Sequence, residues 1–388
     1  MKIKHLITIG IVLLALVASV ASASILIVSG GQSINISPLY KGLVGHWKLD
    51  SEAGKVGISV HTNANAVSIT NEANSTSGWS AGSDGGTAAT FASQSGEVNN
   101  SDYAFSFWYE TGGTNSRLRY QTSLTSGESY RLTFDVKHNG TGSVVNAGFG
   151  NNSYGNVNAV YTVDPVINAD WTTVEYDFVN DGTYYAWFAF LDGGGSGNAT
   201  IYVDNLSIKP IQTADSTPNA NHGVVYGATQ NSDSMTFSGS DNHIQFDSKV
   251  NLGTEHTISI WHNDDNSGAD NSLFGNDGDY TGIRFSSVDS LEYRVDSDYD
   301  DNANGSITRD GNWHNLVISR ISLTNINIYQ DGVYLNNITG YSNTDDFIID
   351  LIGIRNASSL DFIGDIKDVR LYNRALSAQE IELLYKQR

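Results

Sequence analysis

The sequence predicts an all-β protein made of two antiparallel β-sandwiches behind an apolar N-terminal helix. Three observations predict this. Short stretches alternate apolar and polar residues, as in residues 130–137 (YRLTFDVK), where Tyr130, Leu132, Phe134 and Val136 share one face and Arg131, Thr133, Asp135 and Lys137 the other. Clusters of Gly, Ser and Asn separate these stretches, and the chain holds 39 Gly but only 4 Pro. At 388 residues it is too long for one ordinary sandwich and suits two.

Lys2 and Lys4 precede an uncharged apolar run over residues 6–28, and Ala21-Ser22-Ala23 has the small-residue pattern of a signal-peptidase site. Uncut, the run reaches the roughly 20 apolar residues that a membrane span needs. Residues 1–28 are thus a signal peptide or a retained anchor, and either places the remainder outside the cell. Residues 29–41 are a polar linker. The formal charge of -21 argues against nucleic acid and anionic membrane surfaces as partners, leaving membrane contact to the N-terminal segment alone. With no cysteine there are no disulfides, thiolate metal sites or thiol nucleophiles.

Residues 42–50 (GLVGHWKLD) form a strand with Leu43, Gly45, Trp47 and Leu49 on one face. Residues 362–385 end the chain as a strand, a turn and a short helix. Ile366 and residues 369–371 point inward. Ser377 caps the helix, Glu380 completes a capping box, and Leu376 staples onto Ile381. Strands with alternation run between residues 235 and 330, and Asp331-Gly332 is a hairpin turn that accepts positive φ at both positions. Trp261 and Trp313 read as core residues.

The opening strand and the closing strand, turn and helix resemble those of laminin-G-like, concanavalin-A-like jelly-roll domains. In that family the opening strand leads within a few residues to an Asp-Ser…Gly-Asn-His-Gly loop. Here the matching loop appears only at residues 215–223 (DSTPNANHG). Removing residues 53–211 restores the family pattern. The resemblance therefore implies a discontinuous jelly roll, residues 42–52 and 212–388, carrying a second domain of residues 53–211 in a surface loop.

In the second domain, Val174, Tyr176 and Phe178 alternate with Glu175 and Asp177, and residues 199–208 (ATIYVDNLSI) close the unit. Residues 78–93, 129–137, 170–178 and 201–210 resemble carbohydrate-binding modules with a galactose-binding-like jelly roll. A pyranose ring packs its C–H face on Trp or Tyr, so the expected sugar platform is Tyr185 and Trp187 with Trp108 and Tyr109 beside them. Tyr280, Arg284, Tyr293 and Arg294 line the opposing surface of the outer domain. In the resembled modules a structural calcium joins the first strand to the last, which implies Glu72 and Asp204 as its carboxylates here. Asp50, Asp215 and Asp368 are the corresponding set in the outer domain. Their alternative role is hydrogen bonding within turns.

A retaining glycosidase needs two carboxyl groups about 5–5.5 Å apart, and Glu175-Tyr176-Asp177 is the clearest candidate pair. A third acid expected on that strand falls at Asn180, and the pair faces outward. Residues 277–279 (Asp-Gly-Asp) suit a loop. No nucleophile elbow, zinc-binding His-Glu-x-x-His or phosphate loop is present. The expected function is therefore non-catalytic binding of a glycan or polysaccharide, or adhesion, at a microbial cell surface, with other surface proteins as further partners. The alternative is a structural or protein-binding surface subunit; a polysaccharide hydrolase comes third.

Overall fold

The computed structural model describes residues 28–29, 32–33, 38–50 and most of 79–387; residues 51–78 and a set of loops, among them 183–186, 193–198 and 301–306, lie outside the described residues. Met1–Lys41 and Gly42–Arg388 are two compact units. In the first, residues 28–29 pair antiparallel with 32–33, and Pro38–Tyr40 makes a 3-10 turn. The apolar helix expected over residues 6–28 falls outside the described residues, and no described helix is long and apolar enough to cross a membrane.

The second unit opens with β1 (Leu43–Trp47). Ten strands follow: β2 (Trp79–Gly82), β3 (Thr90–Gln94), β4 (Ala104–Tyr109), β5 (Arg117–Gln121), β6 (Ser129–Asn139), β7 (Val145–Gly150), β8 (Asn158–Val163), β9 (Thr172–Val179), β10 (Trp187–Asp192) and β11 (Ala199–Pro210). They form two five-stranded sheets, ordered β8-β7-β10-β5-β2 and β9-β6-β11-β4-β3. The sheets enclose a core in which Tyr130, Leu132, Phe134 and Val136 of β6 meet Phe149, Phe188 and Phe190 of the opposing sheet. The alternation of residues 130–137 thus places its apolar side as expected. Its polar side differs at Asp135, which is buried beneath Asn99, Thr173 and Asn205. Tyr176 also departs from expectation. It lies on β9, which among the described residues is an edge strand of its sheet, and is 37% exposed.

The chain then builds the outer sandwich: β12 (Gln212–Thr213), β13 (Gly223–Tyr226), β14 (Thr229–Gln230), β15 (Met235–Ser238), β16 (His243–Asn251), β17 (His256–Asn263), β18 (Asn271–Gly275), β19 (Gly282–Phe285), β20 (Leu291–Val295), β21 (Asp298–Asp300), β22 (His314–Ser322), β23 (Asn325–Gln330), β24 (Val333–Thr339), β25 (Ile348–Ile352), β26 (Ile363–Tyr372) and α1 (Ala378–Lys386). One sheet runs β12-β13-β16-β25-β18-β19-β20-β21. The other runs β14-β15-β26-β17-β22-β23-β24, with β1 also paired to β26.

The pairing of β1 with β26 explains the nesting. Val369 lies opposite Trp47 and Leu371 opposite Gly45, so opening and closing segments share a sheet although most of the chain separates them. Trp47 also bridges Asp215, whose carboxylate accepts from the His46 amide at 2.9 Å. The Trp47 indole is fully buried, stacks on Phe246 at 4.3 Å and donates to the Asn221 carbonyl. Gly45 makes room for it: a Cβ there would lie 2.4 Å from the indole ring. The whole first sandwich therefore hangs between residue 50 and residue 211. Ile211 hands the chain over, its amide donating to Ser129 of the first sandwich while Val225 of the second donates to its carbonyl.

The C-terminal segment forms as its residues dictate. Ile366, Val369 and Leu371 are fully buried, and the capping box of Ser377 and Glu380 is complete. Leu376 and Ile381 are buried at the helix start. Asp331 and Gly332 both take positive φ in the β23–β24 turn. Trp261 is buried against Tyr385 of α1, as expected of a core residue. Trp313 is only half-buried and carries the Lys367 ammonium 3.9 Å above its ring.

Candidate functional site

The four aromatic residues expected to form a platform in the first sandwich do not share one sheet. Trp108 and Tyr109 end β4 and pair with Thr200 and Ala199 of β11. Trp187 opens β10, in the opposite sheet, between Gln121 and Gly150. Since 193–198 connects the far end of β10 to the start of β11, Trp187 also lies at the other end of its strand from Trp108. A single strand cannot display them together, because the topology splits them between layers. Tyr185 lies outside the described residues.

The Glu175–Asp177 pair is bound by one cation. Arg131, directly across from Asp177 on β6, donates to Asp177 through Nε at 2.7 Å and Nη2 at 2.8 Å, and reaches Glu175 through Nη1 at 2.8 Å. The Asp177 hydrogen bond raises the Arg131 pKa. Both carboxylates are solvent-exposed. A general acid needs a carboxyl whose proton is retained by a dry or anionic neighbourhood; an exposed, arginine-bridged pair supplies neither. Asn180 is buried and structural: its Nδ2 donates to Leu124 and its Oδ1 accepts from Gly182.

Three of the expected calcium ligands, Asp204, Asp215 and Asp368, are hydrogen-bond acceptors in this structure. Asp215 accepts from the His46, Thr217 and Asn221 amides and the Thr217 hydroxyl, so it organises the 215–221 turn. Asp368 accepts from His46 Nε2 at 2.8 Å and from Arg370 through two nitrogens. Burial acts to raise its pKa, but the His46 hydrogen bond and the Arg370 charge outweigh it and hold the carboxyl below the usual range. Asp50 lines a neighbouring cleft. In the first sandwich Asp204 is fully buried and accepts from the Asn99 and Asn205 amides at 2.7 Å, while Glu72 lies outside the described residues. Calcium wants convergent oxygens, whereas these carboxylates face N–H donors and cations. Among the described residues no three carboxylate or imidazole groups converge as a metal site. Asp204, Asp215 and Asp368 are thus engaged by N–H donors.

The cleft beside Asp50 has a volume of about 530 Å³ and lies between β1, β26 and the end of α1. Several of its charges are matched. Asp368 holds His46 and Arg370, and Lys367 holds Asp233 at 3.1 Å while covering Trp313.

The outer face of the eight-stranded sheet around β19 and β20 offers a different arrangement. Alternation sends Ile283, Phe285, Leu291, Tyr293 and Val295 into the core and leaves Arg284, Glu292 and Arg294 on the other side. Tyr293, expected at the surface, is fully buried with its hydroxyl on His256 at 3.1 Å, because it shares the inward face of β20 with Leu291. Arg284 lies opposite Glu292 and donates to it through Nε at 2.8 Å and again through Nη2. Arg355 donates to the other Glu292 oxygen at 3.2 Å. The Glu292 carboxylate is nearly fully buried beneath these guanidinium groups.

Tyr280 stands at the edge of this face, 48% exposed. Arg294 lies 4.7 Å and Arg355 5.6 Å from its ring centroid. Arg355 was not singled out in the sequence; it arrives from the segment after β25, and only the backbone places it. Its carbonyl accepts from the Asn276 amide, and a Cβ on Gly275 would fall 2.0 Å from that carbonyl. Thr281 fastens the Tyr280 loop to the turn after β20, its hydroxyl accepting from the Asp296 amide at 3.0 Å. Arg294 in turn donates to the Asp296 carbonyl. The loop also carries two acids, with Asp279 accepting from the Thr281 amide and Asp277 donating its own amide to Asp350. Burial lowers the Arg355 pKa; Glu292 opposes that effect, and the charges of Arg284 and Arg294 add to it. The product is a ledge with one amphipathic ring, three guanidinium groups and one buried carboxylate.

Comparison with known proteins fits this architecture. Residues 237–382 match the family model described as Laminin_G_3, the concanavalin A-like lectin/glucanases superfamily. The match covers β16–β26 and most of α1, and so the whole ledge around Tyr280. No curated protein sequence matches the chain. Among solved structures, domain 4 of AbnA, a GH43 extracellular arabinanase from Geobacillus stearothermophilus, in complex with arabinotriose, is 17% identical with a TM-score of 0.37, over 44% of this chain and 92% of that one. The botulinum neurotoxin serotype D binding domain is 15% identical with a TM-score of 0.36, over 45% of this chain and 49% of that one. The serotype D ligand binding domain in complex with N-acetylneuraminic acid is 14% identical with a TM-score of 0.35, over 45% of this chain and 48% of that one.

Proposed function

We propose that this protein binds glycans without cleaving them, outside the cell, and that the outer sandwich makes the contact through the Tyr280 ledge. The observation that carries the reading is the half-exposed Tyr280 ring beside Arg294 and Arg355 on a rigid sheet face. Sugars need an apolar face to lie on and fixed donors for their hydroxyls, and this ledge supplies both. The superfamily of residues 237–382, which takes in lectins and glucanases, supports a carbohydrate ligand. Support for binding without hydrolysis comes from the Glu175–Asp177 pair, the candidate for chemistry that Arg131 bridges. Export rests on the Lys2–Lys4 and apolar 6–28 pattern. Adhesion to a polysaccharide surface is the role these features serve.

A glycan array tests the proposal. The full chain is expected to retain defined glycans, and Tyr280→Ala, with an unchanged melting temperature, to lose at least ~tenfold in affinity. A folded protein that binds nothing on the array supports a structural or protein-binding subunit instead. Reducing-sugar release that disappears in Glu175→Gln would establish a hydrolase.

A further inference from the structure

We infer that the ledge selects glycans carrying a single acidic group, a sugar carboxylate or sulfate ester, over their neutral counterparts; this rests on the glycan reading above. Glu292 is shared by Arg284 and Arg355, and Arg294 adds a third guanidinium over Tyr280. Two guanidinium groups share one buried carboxylate and a third lies beside them over the ring, so an acidic group on a sugar seated at Tyr280 meets charged N–H donors rather than other acids. Burial lowers the Arg355 pKa, and the nearby charges of Arg284 and Arg294 add to that effect. A guanidinium fork matches the two oxygens of a carboxylate or sulfate in its own plane, which gives geometry as well as charge.

The acidic group must be local rather than part of a dense polyanion. Asp277 and Asp279 share the Tyr280 loop, and the chain as a whole carries a formal charge of -21. A ligand with closely spaced charges would meet those acids and the long-range field together. One acidic sugar seated on the arginines, with neutral sugars extending over Tyr280, avoids both.

The test uses the full chain and calorimetric titration with three probes: a short uronate oligosaccharide, the same oligosaccharide with its carboxyls reduced to alcohols, and a sulfated neutral oligosaccharide. The uronate or the sulfated probe binds, and the reduced probe is at least ~tenfold weaker, the range in which a charge-assisted hydrogen bond contributes. Which acidic probe wins separates carboxylate from sulfate. Arg294→Ala weakens the acidic probe roughly ten- to a hundredfold and the reduced probe less, so that the preference for the acidic probe shrinks; Arg294→Lys, which keeps the charge but not the fork, recovers part of the loss. Raising sodium chloride from roughly 0.05 M to 0.5 M weakens the acidic probe alone. Equal affinity for the acidic and reduced probes, with loss in Tyr280→Ala, overturns the acid selectivity and leaves glycan binding standing. Binding of none of these probes, alongside neutral hits on the array, overturns it equally. A protein that binds no glycan of any kind overturns both readings.

Discussion

The two sandwiches each pair arginine with carboxylate on an outward strand face, and they do so in opposite proportions. On β6 and β9 one arginine, Arg131, serves two exposed acids, Glu175 and Asp177. On β19 and β20 one buried acid, Glu292, holds two arginines while a third lies beside them. In the first case solvent screens the charges and the arrangement leaves a small negative surplus. In the second the carboxylate is out of water and shared by two largely buried guanidinium groups, next to a half-exposed aromatic ring. Residue types alone are nearly the same in both places. Burial decides which one can act on a ligand.

The largest expected effect comes from removing the buried member. Glu292→Gln leaves Arg284 and Arg355 without their counter-charge and is expected to cost about 3 kcal/mol, measured as a shifted urea midpoint with unchanged slope. A third pairing, one arginine to one acid, falls between. Arg374 holds Glu380 at 2.7 Å, and with the Ser377 backbone bond it depresses the Glu380 carboxyl to about 2 despite partial burial. Because the folded pKa is lowered, that stabilisation is present above the ordinary value of 4.5 and is lost as pH falls toward 2. Glu380→Gln should therefore cost about 1 kcal/mol at neutral pH, the scale of a helix cap, and almost nothing near pH 2. A thermal unfolding series against pH reads this directly. The exposed pair gives less: Asp177→Asn is expected to change stability by under ~1 kcal/mol. If Asp177→Asn cost as much as Glu292→Gln, burial would not be what separates the two faces. The smallest effect is none at all. Chelation by EDTA should leave the melting temperature unmoved, since Asp204, Asp215 and Asp368 are occupied by donors; a drop would show that an ion holds the fold.

Much of the fold was legible in the sequence because it rests on local periodicity. The inward face of residues 130–136, the opening strand with Gly45 and Trp47, the Asp331-Gly332 turn and the capping box all follow from spacing that the backbone enforces. The nesting was legible because a strand and its loop, separated by a long stretch, still carried complementary halves of one pattern. The site was less so. Tyr280, Arg284 and Arg294 lie within fifteen residues and share a hairpin, so alternation could place them together. Arg355 comes from another segment, and its only trace in the sequence is the small residue at Gly275 that lets its backbone approach. The platform of Trp108, Tyr109 and Trp187 failed as one surface because alternation tells inside from outside but not which sheet a strand joins. Tyr293 failed by one position of phase, and Tyr176 by its place on an edge strand. The buried His262–Asp264–Arg309 cluster, with Arg309 Nε 2.6 Å from Asp264, left no sequence signal at all.

Everything functional depends on the second sandwich, rather than the first, meeting the sugar. Titration of one array-selected glycan into the wild-type chain, Tyr280→Ala and Trp187→Ala measures this in a single experiment. The expected result is that Tyr280→Ala abolishes the heat of binding and Trp187→Ala retains it. Loss in Trp187→Ala with full binding by Tyr280→Ala would place the contact on the first sandwich and contradict the account.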